Sequence, residues 1–125
     1  MKIISTNKAP KAIGPYSQGK VAGKYIFTSG QIPLKANGEL IENNFYEECK
    51  QVFKNINFIL KKSGSSLNNI VKLTVYLTDL DNFAILNKIF EEEFTKDYPA
   101  RSTIEVSKLP MNARIEIEAI GYIDD

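Results

Sequence analysis

Two segments late in the chain alternate apolar and polar residues, and this pattern constrains the fold more than any other feature. The segments are residues 99–106 and 115–119. Successive side chains of a β-strand point to opposite faces of the sheet. In the first segment, Ile104 and Val106 predict the core face. Arg101 and Thr103 should therefore point away from the core, together with Glu105.

The second segment places Glu116 and Glu118 opposite its own apolar face. If the two strands form a hairpin across Ser107–Ala113, their core faces must coincide, because a slip of one residue inverts a strand. This register would bring both glutamates beside Arg101 and Thr103. A guanidinium can bind a carboxylate through two parallel hydrogen bonds, and a nearby carboxylate can orient or deprotonate a water. The alternative is a cross-strand salt bridge on a solvated sheet face, where such pairs are common and weak.

The composition excludes several classes of active site. The chain has 125 residues, a net charge of +1, no histidine and one cysteine, Cys49. A Ser-His-Asp triad, a Cys-His pair, most structural zinc sites and an intrachain disulfide are therefore excluded. We expect Cys49 to be inert core, because it lies on an apolar helix stripe. No Asp-rich spacing suggests a metal site, and the charge gives little support to nucleic-acid binding.

Nothing in the sequence predicts a membrane segment. No apolar run approaches the ~20 residues of a membrane span. The first residues lack the long apolar stretch of a signal peptide. We therefore expect a cytoplasmic protein.

The first half of the chain predicts two strands and a helix. The strands are Ser17–Ala22 and Tyr25–Ser29, joined by a glycine turn. The helix should begin after Asn44 as N-cap, with Glu47 completing a capping box, and end before Gly64.

The second half predicts another strand and helix before the two alternating segments. The strand Ile70–Thr78 should place these residues on one face: Val71, Leu73, Val75 and Leu77. The helix should run from Asp81 or Asn82 to near Phe94, with an apolar stripe formed by Phe83, Leu86, Phe90 and Phe94. This order predicts one α/β domain over residues 1–125, with a mixed sheet and two helices on one face. The other face stays partly apolar, which suggests burial against another copy of the chain.

Three residues outside the alternating segments are candidates for a binding site. Asn87 lies on the apolar stripe of the second helix, where a buried amide needs partners; it either ties down a loop carbonyl or faces a ligand. Tyr16 follows a Gly-Pro turn and has a hydroxyl group, and Gly30 could let a ligand approach the backbone. A packed tyrosine and a glycine at a strand end are the simpler alternatives.

Five segments together resemble the RidA/YjgF family, in this order and spacing. They are AIGPYSQG at 12–19, TSGQIP at 28–33, VKLTVYL at 71–77 with DL at 79–80, PARS at 99–102, and IEIEA at 115–119. The resemblance covers nearly the whole chain and implies a chorismate-mutase-like fold. It also implies a homotrimer with its sites in the clefts between subunits. The implied activity is hydrolysis of 2-imino acids, such as 2-iminobutanoate and 2-iminopropanoate, to 2-oxo acids and ammonia, without a cofactor or metal.

The resemblance also implies roles for individual residues. Arg101 would hold the substrate carboxylate, and Glu116 would activate the attacking water. The implied pocket residues are Tyr16, Ser29, Gly30, Asn87 and Thr103. Thr103 stands where many relatives have cysteine, so a thiol cannot be needed here, although the backbone N–H can still serve.

Two other functions stay open at this point. One is an endoribonuclease or translation inhibitor, an activity also attached to some members of the family. The near-neutral charge and the missing histidine argue against it. The other is a non-catalytic trimer that binds small acids through Arg101. Glu116 argues against a pure binding role, because an acid beside a bound carboxylate would repel it.

Overall fold

A computed structural model describes residues 1–95 and 97–124 of the chain, with a sheet on one side and two helices on the other. The strands are β1 (Lys2–Ile4), β2 (Gly19–Ala22), β3 (Tyr25–Thr28), β4 (Ile70–Leu77), β5 (Ala100–Glu105) and β6 (Ile115–Tyr122). The helices are α1 (Phe45–Lys61) and α2 (Phe83–Glu93), and short 3-10 turns cover Leu67–Asn69, Leu80–Asn82 and Pro110–Asn112. The strands form a mixed six-stranded sheet in the order β1-β2-β3-β6-β4-β5, with both helices against one face. The predicted α/β architecture is confirmed.

Helix α1 begins where the sequence predicts, with a small difference in its cap. The side chain of Asn44 accepts a hydrogen bond from the Glu47 N–H at 3.0 Å, as an N-cap should. The reciprocal bond comes from Glu48, whose Oε2 accepts from the Asn44 N–H at 3.1 Å. Glu48 replaces Glu47 in this role because it lies on the inner side of the helix, where it also pairs with Arg114. The helix ends before Gly64, which has a positive φ of 85°.

One residue of β4 lies on the opposite face from the predicted one. Leu73, Val75 and Leu77 are fully buried as predicted, but Val71 is 46% exposed. The pairing of β4 with β6 shifts register between Ile70 and Lys72. An irregularity of this kind breaks the strict alternation of side chains, so Val71 faces outward.

The predicted hairpin between the last two strands is wrong. Strand β4 lies between them, parallel to β5 and antiparallel to β6. The reason is helix α2, which connects β4 to β5: a strand followed by a helix and a second strand forms a parallel crossover unit. Residues 107–113 then lead back across the sheet to place β6 on the far side of β4.

The predicted common surface of Arg101, Thr103, Glu116 and Glu118 is wrong for the same reason. Arg101 pairs with Leu73 and Thr103 pairs with Val75, so both point to the helix-covered face. Glu116 and Glu118 point to the open face, opposite Tyr76 and Thr74. The alternation predicts Ile104 on the core face, but its side chain is 46% exposed on the open face. Because β5 is an edge strand beside the margin of α2, it carries polar residues on its inner face.

The core fills the space between the helices and the sheet, and it leaves the opposite face of the sheet open. Cys49 is fully buried in this core, and burial raises the pKa of its thiol, as expected for an inert cysteine. Several large apolar side chains are between 45% and 62% exposed on the open face: Ile3, Tyr25, Phe27 and Ile104. Among the described residues, neither helix has the length and apolar character needed to cross a membrane.

Candidate active site

Arg101 is held in an open pocket between the edge of the sheet and helix α2. Its guanidinium carbon lies 4.7 Å from the centre of the Phe90 ring and 5.2 Å from that of Phe83. Its Nη2 donates a hydrogen bond of 2.9 Å to Oδ1 of Asn87. The pocket has a volume of about 380 Å³ and is lined by Asn87, Phe90, Glu91, Tyr98, Pro99 and Arg101.

The charge of Arg101 has no carboxylate partner among the residues that the structure describes. Burial lowers the pKa of Arg101 from its usual value, yet a guanidinium stays protonated at neutral pH. The stacking on Phe90 and the bond to Asn87 fix its plane. Its other N–H donors have no hydrogen-bond partner within residues 1–95 and 97–124 and suit a planar anion. Asn87 therefore binds a side chain rather than a loop carbonyl.

Thr103 follows Arg101 along the same face of β5. Its hydroxyl oxygen is buried, and no described residue forms a hydrogen bond with it. A buried polar group without a partner is rare in folded proteins. Thr103 thus adds an unused donor and acceptor two residues from the guanidinium.

Glu116 lies in a second pocket on the open face of the sheet. This pocket has a volume of about 150 Å³, and its lining includes Lys11, Ile13, Tyr16, Gly30, Pro110 and Glu116. Burial raises the pKa of the Glu116 carboxyl, and the negative charge of Glu118 raises it further. A carboxylate of this kind accepts a proton more readily than an exposed one.

Gly30 makes room for the Glu116 carboxylate. A Cβ atom at Gly30 would lie 2.2 Å from Oε2 and 2.7 Å from Cδ of Glu116. Any side chain at this position would therefore displace the carboxylate. The sequence suggests that Gly30 lets a ligand approach the backbone. In the structure, the space left by the missing side chain is occupied by the Glu116 carboxylate.

Tyr16 and Ser29 have different relations to this second pocket. Tyr16 lines it and is 48% exposed, and its hydroxyl oxygen accepts a hydrogen bond from the Ile13 N–H at 3.3 Å. Ser29 donates its hydroxyl proton to the carbonyl of Ser17 at 2.5 Å. Ser29 therefore fastens the segment that leads from Tyr16 into β2.

The predicted site residues thus form two groups on opposite faces of the sheet. Arg101, Asn87 and Thr103 form the guanidinium group, while Tyr16 and Gly30 surround Glu116. Strands β5 and β6 are separated by β4, so their backbones are about 10 Å apart. A small molecule bound to Arg101 cannot reach Glu116 of the same chain through the sheet.

Sequence reasoning missed several residues that shape these groups. The sequence predicts Phe90 as part of the apolar stripe of α2, yet its ring also stacks on Arg101. Its position three residues after Asn87 is the signal that indicates this contact. Tyr76 donates a hydrogen bond of 2.8 Å to Oε1 of Glu118, and its place as a polar residue in an alternating strand could have indicated this. Among the described residues, no cluster of three or more His, Cys, Asp or Glu side chains is arranged to hold a metal ion.

Comparison with known proteins agrees with this fold. The sequence model of the endoribonuclease L-PSP family matches residues 6–123. A RutC family protein of Pyrococcus abyssi is 48% identical, over 97% of this chain and 96% of the relative. The mouse 2-iminobutanoate/2-iminopropanoate deaminase is 46% identical, over 96% of this chain and 90% of the relative. The crystal structure of RidA from an Antarctic Psychrobacter has a TM-score of 0.94 and 42% identity, over 98% of this chain and all of that one.

The fold and the matched range define the class of protein. The chain belongs to the endoribonuclease L-PSP family, which is the RidA/YjgF family that the sequence motifs resemble. The names within this family differ, since relatives of similar identity are called deaminases or RutC proteins. Membership alone therefore leaves the particular reaction open.

Proposed function

We propose that this protein hydrolyses 2-imino acids to 2-oxo acids and ammonia. The observation that carries the proposal is Arg101, whose stacked, half-buried guanidinium has no carboxylate partner among the described residues. Such a group suits the carboxylate of a small acid. The mouse relative, 46% identical, is named for the hydrolysis of 2-iminobutanoate and 2-iminopropanoate.

The reaction matches the side chains present. A protonated imine carbon is already electrophilic, so a positioned water can attack it once a base removes one proton. Glu116 would take this proton, and its raised pKa favours that role. The water oxygen forms a bond to the imine carbon as Glu116 takes one water proton, which leaves a hydroxyl and an amino group on that carbon. Glu116 returns the proton to the amino nitrogen, the C–N bond breaks, and the hydroxyl becomes the carbonyl. The proton that the hydroxyl loses converts the released ammonia to ammonium. The imine R–C(=NH2+)–COO− and water thereby become R–CO–COO− and NH4+.

The proposed site requires a second copy of the chain. Arg101 and Glu116 lie on opposite faces of one sheet, so a substrate that touches both must lie between two protomers. We propose a homotrimer, as the resemblance implies, in which the exposed Tyr25, Phe27 and Ile104 are buried between copies. In each cleft, one protomer would supply Arg101 and its neighbour would supply Glu116.

Release of ammonia from an imine formed in situ tests the proposal. Wild type should accelerate ammonia release from 2-iminobutanoate above the spontaneous rate. Glu116→Gln keeps the shape of the side chain but removes the base, so we expect a rate loss of about 10²–10⁴-fold. It should bind the stable product 2-oxobutanoate at least as well as wild type, since one negative charge near the ligand is gone.

The same assay separates enzyme from binding protein. If wild type binds 2-oxobutanoate but releases no ammonia from any imine, the protein is a binding module. Near-normal turnover by Glu116→Gln would instead remove Glu116 from the mechanism.

A further inference from the structure

The pocket around Glu116 contains a second charged side chain with no role so far. Lys11 lines this pocket, and the other lining side chains besides Glu116 are uncharged at neutral pH. The ammonium group of Lys11 forms no hydrogen bond or ion pair with any residue that the structure describes. The pocket therefore contains one cation and one anion that do not neutralise each other directly.

The backbone beside Lys11 is held in place by a buried amide. Gln18 is 5% exposed, and its Nε2 donates to the carbonyl oxygens of Pro10 at 2.9 Å and Thr6 at 3.0 Å. Its Oε1 accepts from the Thr6 N–H at 2.7 Å. Because Lys11 directly follows Pro10, these bonds fix where the lysine side chain starts. The Lys11 side chain is exposed and also borders a neighbouring pocket, so its ammonium can move at the end of a stem whose base is fixed.

A cation without a described partner, on a stem whose base is fixed, attracts an anionic group. In the proposed reaction, the α-carboxylate of the substrate binds Arg101 of one protomer, and its reacting carbon lies at Glu116 of the next. A second carboxylate on the substrate side chain would enter the pocket near Glu116 and Glu118, which would repel it. Lys11 is the described cation in that pocket that offsets this repulsion.

We propose that Lys11 is a specificity-determining residue that extends the substrate range to 2-imino acids with an acidic side chain. This inference rests on the proposed function. The volume of about 150 Å³ suits a short side chain such as that of 2-iminoglutarate. An ammonium is a compact point charge on a flexible stem, so it can meet carboxylates at more than one distance.

Substrate competition tests the role of Lys11. Imines are formed in situ by oxidases acting on glutamate or on 2-aminobutanoate, and kcat/KM is measured for each. In Lys11→Gln, which keeps most of the stem but removes the charge, the kcat/KM for 2-iminoglutarate relative to 2-iminobutanoate should fall about three- to tenfold. The loss for 2-iminoglutarate should lie mainly in KM. In wild type, the kcat/KM for 2-iminoglutarate relative to 2-iminobutanoate should fall as salt is added, because salt screens the charge of Lys11.

Lys54→Gln is the matched control. Lys54 is an exposed residue of α1 that lines neither site pocket, so its loss changes the net charge equally without altering the ratio. The inference is overturned if Lys11→Gln has wild-type thermal stability and the same ratio of kcat/KM for 2-iminoglutarate and 2-iminobutanoate as wild type. The activity on 2-iminobutanoate would still support the proposed function in that case.

A binding experiment keeps the two proposals separable. The affinities for 2-oxoglutarate and 2-oxobutanoate are measured by calorimetry, which needs no turnover. A selective loss of 2-oxoglutarate affinity in Lys11→Gln supports the role of Lys11 even if wild type hydrolyses no imine. Equal affinities for the two acids in wild type, or an equal loss in the variant, contradict it.

Discussion

The pKa of Glu116 is raised by burial and by a neighbouring carboxylate that belongs to a hydrogen-bonded pair. Glu118 on the same strand raises its pKa, and partial burial raises it more. Tyr76 on the adjacent strand donates its hydroxyl to Glu118, which raises the pKa of the tyrosine as well. Lys11 and Tyr16 complete the ionisable groups that line the pocket. The proton affinity of Glu116 is thus adjustable through neighbours that need not touch a substrate.

Glu118→Gln should move the pH dependence of activity. A general base works when it is deprotonated, so kcat/KM rises with pH through the pKa of Glu116. Removing the charge of Glu118 lowers that pKa, and the acidic limb of the profile should shift to lower pH. Tyr76→Phe removes the hydrogen bond to Glu118 but leaves the charge of Glu118 in place. The acidic limb of the Tyr76→Phe profile should therefore not shift to lower pH as that of Glu118→Gln does. An unshifted limb in Glu118→Gln would show that another group controls it.

Gly30→Ala should separate activity from stability. The new Cβ would clash with the far end of the Glu116 side chain, which can move away at little cost to the fold. We expect a folded protein with little thermal shift and a severe loss of turnover. Gly121→Ala is the opposite case, because its Cβ would lie 2.8 Å from Leu60 Cδ2 in the core. Gly121→Ala should lower the free energy of unfolding by about 1–3 kcal/mol, while the folded protein keeps its activity. Full activity in Gly30→Ala would contradict the close approach.

At the scale of elements, an ion pair joins the start of α1 to the start of β6. Glu48 is 2% exposed, and both of its carboxylate oxygens accept from the guanidinium of Arg114. Arg114 directly precedes β6 and also stacks over Phe45, the first residue of α1. The pair therefore fixes one end of the strand that carries Glu116 against the helix layer.

Arg114→Ala should cost up to about 3 kcal/mol of stability. Removing one partner of a buried pair leaves the other charge uncompensated, and the loss is about 3–5 kcal/mol when both are fully buried. The Arg114 side chain is 42% exposed, which places the expected value at the lower end. Urea unfolding of Arg114→Ala and of Arg114→Ala/Glu48→Gln provides the test. The double variant should recover part of the loss, and no recovery would contradict a charge effect.

The elements that local chemistry determines were predictable from the sequence. Asn44 and Gly64 mark the ends of α1 because a cap and a positive φ depend on neighbouring residues only. Strand pairing depends on which distant segment packs beside which. Alternation in Arg101–Glu105 could not show that β4 would lie between β5 and β6, and it assigned the inner face to Ile104 instead of Arg101. The motif resemblance predicts roles for Arg101 and Glu116, which stay predictions, but only the topology shows that the sheet separates them.

At the scale of the whole molecule, the proposed reaction needs two protomers, because Arg101 and Glu116 lie on opposite faces of one sheet. This division can be tested by mixing subunits. Arg101→Lys and Glu116→Gln should each be nearly inactive, because an ammonium does not reproduce a guanidinium fork and an amide is not a base. Trimers reassembled from equal amounts of both should recover about a quarter of wild-type activity, since one cleft in four then combines an intact Arg101 with an intact Glu116.

Two outcomes would contradict the shared site. Mixed trimers without any recovered activity would show that Arg101 and Glu116 do not act together in a cleft between two protomers. Light scattering that shows a monomer near 14.1 kDa, with activity intact, would remove the need for a second copy.

The central position of β6 has a consequence for how the chain folds. In the described structure, β6 is the last strand in chain order, yet it is the one that joins β3 to β4. A nascent chain can pair β1, β2 and β3, and separately β4 with β5, but these two ribbons share no backbone hydrogen bonds until β6 enters between them. Until then β3 and β4 expose free edges, which invite contact with other chains. Completion of the sheet therefore waits for residues 115–122 to leave the ribosome. The segment that contains Glu116, the proposed base, thus also determines when the two parts of the sheet join.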